Sequence, residues 1–327
     1  WRNHSSFDST TYPGGLYEIN KGATNNLALF VQDTYRPNFN WAIYTGLRID
    51  RFKKFDGQHV TYDTNNNRYD TINHGEGSYT EWSPKLAIEH YVTDSLNVYA
   101  SYGHSFNPPP LSQVYRYSDV VRANPNLNPE RSDTFEVGMK KEWGTKTALN
   151  LSAFYVKTKD KVKYVTHYDN NGDVDYKMYE NVDQETRRGI ELELRHQLSS
   201  KWSVFGNYTW QMGLIKHKDL PNTNASGYEE INYDIPKHIF HAGLEYTNGK
   251  WNALWDAQYV SRRQSVDDIT GQYGSSDSYF ISNVAMNYKF SKEATLQLGI
   301  QNVFNRVFFD DEATAGRTYS ASMKFKF

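Results

Sequence analysis

Tyr115, Arg116, Tyr117 and Arg122 fall within eight residues of one another, in a stretch that opens on Pro108, Pro109 and Pro110. Aromatic faces beside guanidinium donors suit carboxylate or catecholate oxygens, because the planar fork gives two parallel hydrogen bonds. Nothing else in the 327 residues assembles a reactive centre. There is no Cys, which excludes thiol nucleophiles, thiolate metal sites and disulfides together. The ten His are scattered, and none forms a metal-spaced pair on one strand face. Gly-rich phosphate loops, HExxH and the GxSxG elbow are missing as well. Asp169-Asn170-Asn171-Gly172-Asp173 lacks calcium-loop spacing and reads as a hairpin tip at Asn171-Gly172. Asp267-Asp268 and Asp310-Asp311-Glu312 read as solvated loop charge. With 36 Lys+Arg against 38 Asp+Glu, the balance gives no case for nucleic acid. The chemistry on offer is binding, with no enzyme activity, no metal and no cofactor expected.

The elements that must hold this stretch show a period of two. Ile190, Leu192 and Leu194 alternate with Glu191, Glu193 and Arg195, and Tyr319, Ala321, Met323, Phe325 and Phe327 alternate with Ser320, Ser322, Lys324 and Lys326. Such alternation sets two faces on one strand and does not fit helical spacing. The pattern predicts about thirteen strands: 25–36, 40–52, 80–92, 95–106, 132–143, 146–158, 187–198, 201–212, 236–247, 250–261, 279–290, 293–304 and 317–327. Most are twice the usual globular length, the span of a tilted strand crossing a bilayer. Short turns alternate with long polar loops at 53–79, 107–131, 159–186, 213–235, 262–278 and 305–316, so all long loops share one rim. Asn248-Gly249 is the favoured pair for a type I′ hairpin. Residues 1–24 read as a further loop.

The apolar parity carries Trp41, Tyr102, Trp143, Tyr155, Trp202, Trp210, Tyr246, Trp251, Tyr259 and Tyr288 near strand ends, the position of an aromatic girdle. The other parity carries Arg48, Lys85, Glu136, Lys140, Glu191, Glu193 and Arg195, which a packed sandwich core would not accept unpaired but a water-filled lumen does. The predicted fold is all-β, a transmembrane antiparallel β-barrel. The six long loops hold 15 Lys+Arg against 23 Asp+Glu, a net of −8, and among them only loop 107–131 is net basic.

Several stretches, in order, resemble the C-terminal barrel portion of a TonB-dependent outer-membrane receptor. They are Gln32-Asp33; Tyr44 to Asp50; Ser83-Pro84-Lys85-Leu86; Tyr99 to Phe106, closing on Asn107-Pro108-Pro109; Asn124-Pro125-Asn126-Leu127-Asn128-Pro129-Glu130-Arg131-Ser132; Arg188 to Leu194; Ile235-Pro236-Lys237-His238; and Gln301 to Arg306 with Gly316 to Phe327. The resemblance implies the last thirteen strands of a 22-stranded barrel over residues 1–327, with the N-terminal plug and the early strands missing. An odd strand count points the same way, since such barrels use even numbers. It also implies residence in the bacterial outer membrane and TonB-energised uptake of a scarce ligand, most often a ferric siderophore, with TonB reached through the missing plug. Haem, cobalamin and a passive porin remain as alternatives. Haem receptors carry a His between two such boxes; residues 107–131 hold none, leaving Tyr115 or Tyr117 as the only substitutes and favouring a structural role for both boxes. The expected ligand contacts are Tyr115, Arg116, Tyr117 and Arg122, against an alternative in which the arginines pair with lipopolysaccharide phosphates or acidic loops. Phe325 and terminal Phe327 resemble the signal read by the outer-membrane insertion machinery.

Overall fold

A backbone in hydrocarbon must find every hydrogen-bond partner within the protein, and this chain does so by pairing each long strand with its neighbours in sequence. The computed structural model describes residues 2–11, 16–63, 68–223, 227–266, 273–310 and 312–326. The strands are β1 (Arg2–Thr11), β2 (Leu16–Asn38), β3 (Trp41–Asp63), β4 (Arg68–Asn73), β5 (Gly77–Thr93), β6 (Leu96–Asn107) and β7 (Val121–Arg122). They continue with β8 (Glu130–Trp143), β9 (Thr147–Tyr168), β10 (Val174–Gln197), β11 (Trp202–His217), β12 (Glu229–Asn232), β13 (His238–Asn248) and β14 (Trp251–Val260). The last are β15 (Arg263–Val266), β16 (Tyr273–Ser276), β17 (Tyr279–Lys289), β18 (Ala294–Gln301), β19 (Phe309–Asp310), β20 (Glu312–Ala313) and β21 (Thr318–Phe325). One short helix, α1 (Leu111–Val114), lies in loop 107–131.

The wall is a continuous antiparallel ladder in the order β1, β2, β3, β5, β6, β8, β9, β10, β11, β13, β14, β17, β18, β21. All thirteen predicted strands are in it. The expected loop 1–24 is instead a hairpin: β1 lies along the outer part of β2, with Arg2 opposite Leu27 and Thr11 opposite Glu18. The expected loops 53–79 and 159–186 are likewise strand for much of their length, because the paired open ends of β2 and β3, with β4, and the hairpin β9–β10 run on past the girdle. Above the membrane both faces of a strand are wet, so the apolar contrast fades while the backbone ladder continues; that is why the pattern hid them. The β9–β10 tip falls at Asn171-Gly172 as expected, where Asp169 Oδ1 accepts from the backbone N–H of Asn171 and Asp173. The turn at Asn248 differs. Asn248 pairs with Trp251, so Gly249 and Lys250 form the loop; only Gly249 has positive φ, the pattern of type II′ rather than I′.

The register sorts the faces as the sequence implied. Across β10 and β11, Ile190 opposes Trp210 and Leu192 opposes Tyr208, while Glu191 opposes Thr209 and Glu193 opposes Asn207. The first set extends to Phe135, Val137, Tyr155 and Leu194, large apolar groups left exposed on the outer face, where lipid would cover them. The second set is the lumen. There Tyr99 Oη donates to Glu136, Asn150 Nδ2 donates to Glu193, and Lys140 lies over the Tyr99 ring. Trp202 packs on Tyr246 at 4.6 Å and Trp251 on Tyr288 at 4.4 Å, forming the girdle on the short-turn side. Phe325 is on the outer face and exposed; Phe327 lies outside the described residues.

Adjacent residues of β10 therefore carry opposite expectations. In the full-length receptor, Leu192→Arg on the lipid face is expected to cost about 2–4 kcal/mol, whereas Glu193→Gln in the lumen costs less than about 1 kcal/mol. Urea titration of the folded barrel in liposomes, read by heat-modified electrophoretic mobility, separates the two.

Candidate ligand-binding mouth

Loop 107–131 does not project from the rim. Pro108 to Leu111 line a cavity of about 310 Å³ with Thr24, Asn26, Phe52, Lys54 and Tyr79, so the loop turns inward over the lumen. The Pro run fixes an extended entry, and α1 then places Leu111 and Val114 on one side. Leu111, Val114, Tyr115 and Leu127 form a small buried core, with Val162 and Tyr179 packed against it.

Tyr115 is the wedge of this core. Its ring is wholly buried, and a Cβ at either Gly22 or Gly57 would overlap ring carbons, so both glycines are required by close approach. Gly57 follows Asp56, whose φ is +55°, where β2 and β3 slip register between Lys21 and Ala23. The bulge opens the seat that the ring fills. The hydroxyl lies 3.4 Å from the Gly75 carbonyl, and burial pushes its pKa up to about 12. A neutral phenol enclosed in this way has no face to offer a ligand and no free oxygen for a haem iron. Tyr115 therefore leaves the expected contact set.

Tyr117 is held by its backbone. Asn20 Nδ2 donates to the Tyr117 carbonyl at 3.1 Å, and the Tyr117 N–H donates to Asn20 Oδ1 at 3.2 Å. Its ring lies 4.8 Å from that of His59 and 5.3 Å from that of His74. Arg122 stacks over Tyr117 at 5.3 Å and donates to the Ser118 and Asp119 carbonyls, so part of its donor capacity is spent inside the loop. Arg116 is exposed.

The Asn124 to Arg131 element is a clamp. Asn124 Nδ2 donates to the Tyr179 carbonyl, Asn181 bonds the backbone of Asn128 in both directions, and the buried Lys54 ammonium donates to the Leu127 carbonyl at 2.6 Å. Arg131 is bidentate to Glu81 and reaches Asp160 at 2.6 Å, tying β5, β8 and β9 together. Beside it, the fully buried Asp50 receives two bonds from Arg48 and one from Asn26. These contacts tie the 124–131 element to β3, β5, β9 and β10.

The fold also brings in residues that the sequence did not single out. Tyr164 and Tyr179 are paired across β9–β10 at 4.8 Å, Lys177 lies over Tyr164 at 5.9 Å, and the Arg116 charge acts on the Tyr164 phenol. Arg116, Lys177 and Tyr164 thus give the mouth cations and an aromatic face near Tyr117 and Arg122, a combination suited to planar anionic oxygens. Their only sequence signal is the strand pairing that places 164 opposite 179. Among the described residues no group of three or more His, Asp or Glu is arranged to hold a metal ion.

A bilayer-spanning antiparallel wall, with a polar interior and a mouth narrowed by an inward loop, defines an outer-membrane barrel of the receptor and transporter class. The model of the TonB dependent receptor-like β-barrel matches residues 1–303, and the chain belongs to that family, one of receptors in the bacterial outer membrane. The catecholate siderophore receptor Fiu of Escherichia coli K12 is 22% identical over 91% of this chain and 40% of its own length. The probable TonB-dependent siderophore receptor PiuA of Acinetobacter baumannii is 23% identical over 86% of this chain and 37% of its own. The chain thus spans about two fifths of the curated relatives it matches. The solved structure of the E. coli Fiu import receptor superposes on all of it with a TM-score of 0.72 at 16% identity, a likeness of fold.

Two outcomes follow for the loop. Gly57→Ala in the full-length receptor is expected to displace Tyr115 and raise the rate of protease cleavage within 107–131 by about tenfold, with the heat-resistant barrel unchanged. Unaltered cleavage would mean that the ring seats elsewhere. Burial lowers the pKa of both His59 and His74, in His59 against the pull of the Glu18 and Asp119 carboxylates and in His74 with a further push from the His59 charge, so the docked loop takes up its protons later than the released one. Its stability is complete above about pH 6.5 and falls as the pH drops below that value. Hydrogen exchange of the 111–127 amides, corrected for intrinsic rates, should show protection declining between about pH 7 and about pH 5.

Proposed function

We propose that this chain is the C-terminal wall and mouth of a TonB-energised outer-membrane receptor that takes up a ferric siderophore. The observation that carries the reading is the ordered family match across residues 1–303. The remainder of the receptor, with the plug and its TonB contact, lies outside residues 1–327 in this reading. The ligand class rests on the relatives. Fiu and PiuA bear siderophore names, and a ferric-pyoverdine receptor of Pseudomonas putida is 23% identical over 75% of the chain. A vitamin B12 transporter of Vibrio vulnificus, 23% identical over 74%, keeps cobalamin as the second reading. The mouth favours the siderophore, since Arg116, Arg122 and Lys177 beside Tyr117 and Tyr164 suit an anionic aromatic chelate. The acidic balance of the long loops argues against long-range steering of such an anion, so capture depends on this local set. Outer-face Phe325, with Phe327, serves assembly in the same account.

The test is the double variant Arg116→Ala, Arg122→Ala in the full-length receptor, with a ferric tris-catecholate as the probe. Affinity is expected to fall at least tenfold, about 1.4 kcal/mol, with abundance and heat resistance unchanged. Retained affinity with a lowered melting temperature would make the arginines structural and place the ligand elsewhere.

A further inference from the structure

The short-turn rim is basic where the long-loop rim is acidic. Lys146, Lys201, Lys250 and Lys292 lie within tight turns, and Arg36 lies near the end of β2, just before the turn that joins it to β3. Lys201 and Lys250 immediately precede Trp202 and Trp251, the girdle aromatics of β11 and β14. The groups concentrate at the β14, β17, β18 and β21 ends, where a groove of about 490 Å³ is lined by Lys250, Lys289, Lys292, Lys324 and Lys326 around the exposed Phe290 ring. Its one acidic lining residue, Glu293, accepts a hydrogen bond from Ser291 Oγ at 2.8 Å. Among the described residues none of the five ammonium groups joins an ion pair, and all five residues are exposed.

Five unneutralised like charges in one groove raise each other's energy unless an anion sits among them. The groove straddles the rim. Register places Lys289, Thr295 and Lys324 in one row on the lumen parity. Phe290 is on the lipid parity, edge-on to Tyr288 at 4.7 Å, and Tyr288 packs at a tilt against Trp251. An aromatic floor at the depth of the girdle, with long flexible stems that carry charge to its edge, matches a headgroup phosphate whose acyl chains lie against the wall. We infer that the short-turn lysine groove binds an anionic phospholipid headgroup of the periplasmic leaflet. Clusters of lysines beside membrane segments recognise anionic lipid in this way. The chain thereby gains a fixed depth and tilt at the end of the wall that carries its C-terminal strand.

The experiment uses the full-length receptor in nanodiscs of phosphatidylethanolamine with phosphatidylglycerol, read by native mass spectrometry of the lipids retained after detergent release. The wild type is expected to retain phosphatidylglycerol in preference to phosphatidylethanolamine. The variant Lys250→Gln, Lys292→Gln, Lys324→Gln, Lys326→Gln should lower that preference about tenfold, while the same four positions as Arg keep it. Heat-modified mobility verifies the fold, and if the fourfold variant does not assemble, Lys250→Gln with Lys292→Gln carries the comparison. The inference is overturned by an equal retention of both lipids in the wild type, or by an undiminished preference in the glutamine variants. It is also overturned if the lysines prove to hold an acidic polypeptide while lipid retention is indifferent to them.

Discussion

Backbone hydrogen bonding without water is the constraint from which the rest of this molecule follows. A strand in hydrocarbon must bond on both edges, so the chain becomes an ordered ladder of sequence neighbours. Once the ladder is set, the period of two assigns every side chain to lipid or lumen, and a slip of one residue would exchange the faces. The apolar row through Ile190, Leu192, Trp210 and Tyr208 and the polar row through Glu191, Glu193, Thr209 and Asn207 are the two sides of that one decision. Little conventional core is needed. The one sizeable buried cluster among the described residues is the one that seats loop 107–131.

That seat shows how a membrane wall is given a soluble-type interior where it needs one. Above the girdle the paired ends of β2 and β3 and the hairpin β9–β10 stand clear of lipid, and the loop closes over their inner faces. Tyr115 supplies apolar area, Gly22 and Gly57 supply room, and the amide of Asn20 and the carboxylates of Glu81 and Asp160 supply polar fixings. In the proposed reading this rigid scaffold presents Arg116, Tyr117, Arg122, Tyr164 and Lys177 at the mouth, so that binding would not require a floppy loop to be ordered first.

The wall was legible in the sequence because each residue reports its own face. Trp143, Trp202 and Trp251 mark the girdle, and Arg48, Lys85 and Glu136 mark the lumen, without reference to anything distant. The strand ends past the girdle were not legible, since wet strands lose the contrast on which the pattern depends. Nor was the true loop at Gly249-Lys250, where one residue of register decides the turn type. Of the four expected contacts, Arg116 keeps an exposed position, Tyr117 and Arg122 stack on one another, and Tyr115 turns inward. The reason lies in Gly22 and Gly57, far from Tyr115 in the chain, and no local rule connects them. Tyr164 and Lys177 were missed because their value comes only from pairing across β9 and β10.

The central claim is that adjacent residues of the wall see different solvents. The absence of Cys makes it directly measurable. Single cysteines at Leu192 and at Glu193 in the full-length receptor, in intact outer membranes, can be challenged with a water-soluble maleimide and with a lipid-confined quencher of an attached fluorophore. The account predicts that the position 193 label reacts from the aqueous lumen and escapes the quencher, while the position 192 label is quenched from lipid and resists the maleimide. Equal behaviour at the two positions, or the reverse, would contradict it.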